Sequence, residues 1–318
     1  MSKQQHKYAF YPTLLDAFTK YLTTSAEDFF YQDEEGKWHK NYSETEGTFH
    51  FSQDEVDALL LQELLDKINR KPFEPSEAAD KGTIFNEIVD CIIAKRDTQN
   101  NDYFIASANS FDEFAKKTFG AVVTYVDGKP HVAEEDGLGE MLQPYYDLVS
   151  KLGKPFIYGS IDGFEFYFDK QLCKSMAEYF DGALSQHYTT ATIDTAYGVV
   201  KLYGYIDELI RDKVYDIKTT KSYTFGNYQK YWQRHVYPYC LIESGDCTDV
   251  KAFEFSVVQL KGGGPRSPLI TGDFYKEIYD YNHAQSTELI RQQCERFIEF
   301  LEEHRSEITD TKIFGLSD

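Results

Sequence analysis

Two short runs hold residue types that are costly to bury and useful to keep: Gly204-Tyr205-Ile206-Asp207 and Asp216-Ile217-Lys218. If Arg211-Asp212 between them is a two-residue hairpin turn, Ile210 opposes Lys213, Leu209 opposes Val214, Glu208 opposes Tyr215 and Asp207 opposes Asp216. Directly opposed residues share a sheet face at roughly 5 Å between Cβ atoms. Lys218, two residues past Asp216, points the same way. The expected product is two carboxylates and an ammonium on one face. Carboxylates that close repel, so one must take up a proton or both must share a cation. Mg²⁺, or Mn²⁺ in its place, prefers hard oxygen ligands and keeps waters and phosphate oxygens in its shell. Held by Asp207 and Asp216 it would polarise a scissile phosphodiester and activate a water. Lys218 would orient or deprotonate that water, or stabilise the developing phosphorane charge. The carbonyl of Ile217 offers one more oxygen ligand. The alternative is a solvated hairpin face bearing a weak ion pair. Tyr205, Ile206, Val214, Tyr215 and Ile217 belong instead to buried strands, where an aspartate needs compensation.

The elements that must position these groups follow from pattern. Segments 187–195, 199–210 and 213–219 are rich in Thr, Val, Ile and Tyr and are joined by short links, so they predict an antiparallel meander. Ser52-Gln53-Asp54-Glu55 is a capping-box sequence opening a helix with Val56, Leu60, Leu64 and Ile68 on one stripe, closed by Lys71-Pro72. Further helices are predicted over 76–95, 110–118, 169–180 and 227–243, and a long amphipathic one over 274–308. Strands are predicted at 121–125 and 250–259. Asp127-Gly128, Ser160-Ile161-Asp162-Gly163 and Glu134-Glu135-Asp136-Gly137 read as turns. Helices before, between and after the strands imply an α/β sandwich with a mixed central sheet.

The ordered pair of motifs resembles the PD-(D/E)XK nuclease superfamily, in its RecB-like and phage-type exonuclease branch. There a GxxD strand precedes a (D/E)xK strand, here Gly204 to Asp207 and Asp216 to Lys218. A QxxxY helix follows, here Gln233-Arg234-His235-Val236-Tyr237. The family's upstream GxxxHE helix corresponds to Gly82-Thr83-Ile84-Phe85-Asn86-Glu87, with Asn86 where the family carries a metal-binding His. The resemblance covers roughly residues 76–260. It implies a restriction-endonuclease-like core with an N-terminal helical extension: an accessory region over 1–75 and a nuclease domain over 76–318, or one continuous domain. It implies Mg²⁺ or Mn²⁺ on Asp207, Asp216, the Ile217 carbonyl and Asn86, or on Glu87 beside it. It implies that Gln233 and Tyr237 hold the site and the DNA backbone. The implied activity is an exodeoxyribonuclease of recombination, repair or phage DNA processing. A recombination or single-strand-annealing protein is an implied partner, and a ring-like homo-oligomer an implied assembly.

Composition bounds these expectations. The net charge of −20 and pI near 4.8 argue against a general nucleic-acid surface, because phosphate attraction needs basic residues. Yet residues 217–242 contain no Asp or Glu and carry Lys218, Lys221, Lys230 and Arg234, interleaved with seven Tyr, Phe and Trp residues. Lys221 and Arg234 are therefore expected to bind substrate phosphates. Most of the rings are expected to be core, although aromatics can also stack on unpaired bases. Five scattered cysteines without a CxxC pair fit reduced thiols and speak against the iron–sulfur cluster that some RecB-like nucleases carry. With no membrane-length apolar run and no leader-like N-terminus, a cytoplasmic protein is expected. The KGGGPRSP stretch lacks the GK[ST] ending of a phosphate loop. The histidines show no HxH or HExxH pattern, and no Ser–His–Asp or Cys–His spacing stands out. The competing expectation, motivated by Asn86 and the acidic charge, is a catalytically inactive nuclease-fold module that binds DNA or a protein. A third is an unrelated α/β protein whose two aspartates face opposite sides.

Overall fold

A computed structural model describes residues 6–315, apart from 34, 36, 46, 73, 96–101, 127–128 and 133–137. The turns expected at 127–128 and 134–137 therefore lie outside the described residues. The chain opens with β1 (Tyr8–Phe10) and α1 (Pro12–Thr23), followed by the ladders β2 (Phe30–Gln32) with β3 (Trp38–Lys40) and β4 (Tyr42–Ser43) with β5 (Thr48–Phe49). Next come α2 (Gln53–Ile68), α3 (Glu77–Ala94), β6 (Tyr103–Ala108), α4 (Phe111–Phe119), β7 (Val123–Val126), β8 (Lys129–Val132) and α5 (Leu138–Leu152). The hairpin β9 (Phe156–Ile161) and β10 (Phe164–Asp169) leads to α6 (Lys170–Tyr179). The second half holds β11 (Leu184–Thr195), β12 (Gly198–Ile210), β13 (Lys213–Thr220), α7 (Gln233–Ser244), β14 (Ala252–Lys261), β15 (Leu269–Asp280) and α8 (His283–Glu303).

Nine strands form one sheet in the order β1-β12-β13-β14-β15-β10-β9-β6, with β11 also on β12. The β1–β12, β13–β14 and β10–β15 pairs are parallel and the others antiparallel, so the sheet is mixed. Helices cover both faces. One face packs α1, α2, α7 and α8 through Leu14, Leu65, Val236 and Phe297; the other packs α3 and α6 through Ile84, Ile88, Cys173 and Met176. Strand β14 shows the alternation that this needs: Val257 packs toward α7, and Val258 toward α3 and α6. The expected α/β sandwich with a mixed sheet is what the chain forms.

Several expectations are met locally. Ser52 and Glu55 cap α2 reciprocally, Ser52 N–H donating to Glu55 Oε2 at 2.8 Å. Asp162-Gly163 turns the β9–β10 hairpin. Others are corrected. The helix expected over 274–308 begins only at His283, where the Asn282 side chain accepts Gln285 N–H. Residues 269–280 are instead β15, paired with β14 from Ala252↔Asp280 to Lys261↔Thr271. The glycine-rich run is the connection of that hairpin, with Gly262 and Gly263 at φ +87° and +86°. The helix expected over 227–243 starts at Gln233, and residues 225–230 ahead of it form successive turns instead. The first seventy-five residues divide. Residues 8–23 enter the main sheet and core, while Tyr31 of β2, Phe51 and part of α2 pack a small cluster around Phe29, Val56 and Leu60. Among the described residues, no helix is long and apolar enough to cross a membrane.

One feature of β12 prepares the site. Strand β11 runs along one edge of it from Gly198 to Leu209. Its opposite edge is shared: β1 takes Val200–Leu202 and β13 takes Glu208–Ile210. Residues 203–207 on that edge have no strand partner among the described residues.

Candidate active site

The predicted hairpin register holds for Ile210↔Lys213, Leu209↔Val214 and Glu208↔Tyr215, and then the ladder stops. Where the next pair would form, the Asp207 carboxylate accepts the Ile217 N–H at 2.8 Å and takes the place of a backbone partner. The strand's alternation breaks there too. Ile206 and Leu209, three apart, pack together toward α7, while Glu208 turns away to accept from Ser185 Oγ at 2.8 Å. Splaying the strands lets two carboxylates approach without exchanging main-chain bonds.

Asp216 lies opposite this gap, its side chain 2% exposed, and forms an ion pair with Lys218 Nζ at 2.7 Å. Gln233, the first residue of α7, donates its Nε2 to the other Asp216 oxygen. One turn on, Tyr237 packs on Gly204, where a Cβ would stand 2.7 Å from its Cε1 atom. The GxxD glycine is thus the position that lets the QxxxY tyrosine, and with it α7, close over the strand. Gly82 does the same from the other face: a Cβ there would meet Thr219 Oγ1 at 2.5 Å. Asn86 and Asp90 follow at successive turns on that face of α3. Asp90 accepts from Gln186 at 3.1 Å, and Asn86 Oδ1 is buried with no hydrogen-bond partner among the described residues.

Burial, and then the neighbouring Asp216, pushes the Asp207 carboxyl up to about 8. Burial raises Asp216 as well, against the pull of Lys218. Burial alone would lower Lys218, but Asp216, Asp207 and Asp16 outweigh it and hold the ammonium above its ordinary range. The pair of aspartates therefore keeps, near neutrality, a proton that free carboxylates would already have released. A divalent cation would displace that proton. The two carboxylates are hard-oxygen donors of the kind that Mg²⁺ or Mn²⁺ takes, and the Asn86 oxygen, on the helix that packs on β13 through Gly82 and Thr219, is a third donor of that kind. Among the described residues, no three His, Cys, Asp or Glu side chains gather closely enough to hold a metal by themselves. Such a cation would need main-chain, Asn, water or substrate oxygens to fill its shell.

Two proteins are similar in fold comparison. SSO0001 shows 19% identity and a TM-score of 0.26, over 39% of this chain and 55% of that one. A protein named "Putative exonuclease" from Eubacterium rectale shows 13% identity and a TM-score of 0.35, over 77% of this chain and 74% of that one. The chain thus spans about half the length of SSO0001. Neither a family model nor a curated protein matches the sequence. Likenesses this slight carry no argument about activity, which rests on the residues themselves.

Of the residues singled out by sequence, Asp207, Asp216, Ile217, Lys218, Gln233 and Tyr237 come together. Lys221 lies just past β13 with its side chain in solvent. Arg234 lies apart, its guanidinium 4.7 Å from the Tyr279 ring centroid on β15. Glu87 accepts from Tyr103 Oη at 2.8 Å, away toward β6. Three acids were not foreseen. Asp90 shares a hydrogen bond with Glu208, whose carboxyl burial raises to about 9; its place, one helical turn after Asn86, was a readable signal. Asp16 of α1 accepts the Trp232 N–H at 2.7 Å, capping α7 from outside. Its second oxygen, Oδ2, is buried without a hydrogen-bond partner among the described residues, and its charge acts on both Lys218 and Asp216. Nothing in the local sequence announces Asp16, since 216 positions separate it from Trp232.

Proposed function

We propose that this chain is a divalent-metal-dependent deoxyribonuclease of the PD-(D/E)XK type, acting as an exonuclease on DNA. The observation that carries the reading is the convergence of Asp207, Asp216 and Lys218 where the β12–β13 ladder opens. Asp207, Asp216 and Asn86 would hold Mg²⁺ or Mn²⁺. When bound, that ion polarises the scissile phosphate and lowers the pKa of a coordinated water.

The remaining work belongs to the chain. Asp207 is fixed by the Ile217 amide, and Asp216 by Gln233, so neither has to be ordered when substrate arrives. The surrounding acids keep Lys218 protonated, which makes it a poor base. It acts as a cation that orients the attacking water and stabilises charge growing on the phosphoryl oxygens. The 22% exposure of its side chain keeps the ammonium within reach of substrate, while Asp216 stays buried beneath it.

Nucleotide release from linear DNA, measured with and without Mg²⁺ or Mn²⁺, tests the proposal. Metal-dependent release should fall by at least about a hundredfold in Asp216→Ala and in Lys218→Ala, the order seen when a preorganised transition-state contact is lost. Undiminished release in either variant would overturn it. Calorimetry with Mn²⁺ separates the inactive-module reading, which predicts no binding heat that depends on Asp207.

A further inference from the structure

Beside the acidic cluster lies a cavity of about 1070 Å³, walled by α1, the β2–β3 ladder, α2 and the turn that precedes α7. Its size is at the upper end of small-molecule pockets, about 300–1,000 Å³. It adjoins the cluster at two points. Tyr231 lines it and stands 5.7 Å by ring centroid from Lys218 Nζ, and Asp16, on its wall, acts electrostatically on Lys218.

The lining has a definite chemistry. Phe30 and Trp38 both open onto it and are 50% and 65% exposed. They share one face of the β2–β3 ladder, because Trp38 pairs with Gln32, two residues past Phe30. Two large rings side by side at the mouth of a cavity offer flat apolar faces on which a planar group can stack. Among the lysines on the wall, Lys20 is tied to Glu63 at 2.5 Å. Lys67 and Lys230 have no ion-pair partner among the described residues, and Lys230 is exposed. Asp16, Asp28, Glu63 and Asp66 also line the wall and outnumber its three lysines, so the chamber carries no net basic charge. A stiff, densely charged duplex would gain little there. A short strand that stacks its bases on rings and needs few phosphate contacts would gain more.

We propose that this cavity receives the unpaired end of a DNA strand, with bases on Trp38, Phe30 and Tyr231 and phosphates on Lys230 and Lys67. The N-terminal region is then the part of the chain that selects single-stranded ends, a role that rests on the nuclease reading above. The strand leads past Tyr231 to Lys218 and the two aspartates.

The test is fluorescence anisotropy of a labelled oligothymidylate and of a blunt duplex of equal length, with the 318-residue chain in EDTA so that no strand is cut. The single strand should bind more tightly than the duplex. Trp38→Ala and Lys230→Ala should each weaken single-strand binding about tenfold, within the range for loss of one stacking or phosphate contact, and Trp38→Phe should recover most of it. Trp38 is largely exposed, so its variants should keep the thermal melt of the parent. Equal affinity for duplex and single strand, no binding of oligothymidylate, or Trp38→Ala affinity within about twofold of the parent would each overturn the proposal. A second arm adds Mn²⁺. Binding through Trp38 without nucleotide release would leave the chamber standing and remove the nuclease reading. Nucleotide release with KM for single strands unchanged in Trp38→Ala would do the reverse.

Discussion

Replacing Asp207 with Asn should make the fold less sensitive to pH and insensitive to divalent metal. The Asp207 carboxyl sits at about 8 in the folded chain against an ordinary value of 3.8. Between those two values the native state holds a proton that the denatured state has released. Stability therefore falls as pH rises through that window, by up to about 1.4 kcal/mol per pH unit, and levels off above it. Asp207 is only half-buried, and Lys218 favours its charged form, so the full slope is not reached. A loss of about 2 kcal/mol between about pH 5 and pH 8 is the expected share of this group. Asparagine keeps an oxygen to accept the Ile217 N–H and removes the titration. Urea midpoints across that range should thus show a flatter profile for Asp207→Asn, with the variant more stable than the parent at the alkaline end. Metal should act oppositely. Mn²⁺ at about a hundred times its Kd stabilises a protein that binds it only when folded by about 2.7 kcal/mol, and the parent should gain on that scale while Asp207→Asn gains little. Parallel pH profiles, or equal stabilisation by Mn²⁺, would refute the claim that Asp207 is a strained carboxyl awaiting a cation.

Asp16→Asn should retain the cap on Trp232 but remove a charge that holds the Lys218 ammonium, so the alkaline limb of kcat/KM should move to lower pH; an unmoved limb would show that Asp16 does not act on Lys218. Gln233→Ala strips a donor from a buried carboxylate and should cost about 2 kcal/mol in urea unfolding, with weaker Mn²⁺ binding by calorimetry because Asp216 is no longer fixed. Gly204→Ala forces a Cβ into the Tyr237 ring and should destabilise the fold by about 1–3 kcal/mol; adding Tyr237→Ala should restore part of that, and no restoration would mean that the contact is not the constraint.

The hairpin was legible because its constraints are local. Arg211-Asp212 between two β-rich runs fixes a register, with Arg211 in the left-handed region at φ +54°, and that register puts the acids within reach of each other. The capping box of α2 was legible for the same reason. Segment 274–281, FYKEIYDY, was not, because Phe274, Ile278 and Tyr281 fit a helical spacing as well as a strand. Pairing with β14 across a glycine-rich turn decided it, and the helix signal that mattered was Asn282. Strand β1 is three residues long and gains its place from β12, nearly two hundred positions away, so no local pattern could reveal it. Asp16 entered the site through that same long-range placement.

The site exists because the sheet is incomplete at one place. A β12 paired along both edges would have spent the Ile217 amide on main-chain bonding and held Asp207 in a regular alternation with its neighbours. With β1 and β13 each taking only part of one edge, the amide is left for a carboxylate, and the strain of placing a second carboxylate nearby is met by Gln233, Lys218 and a retained proton. Gly82 and Gly204 let α3 and α7 close on the gap from opposite faces, which keeps the acids dry enough to repel and rigid enough not to move apart. Glu208 and Asp90 extend the same conflict: burial and the Asp90 charge raise the Glu208 carboxyl to about 9, and Asp90 also raises Asp207, so the retained protons belong to one cluster of acids rather than to a single pair.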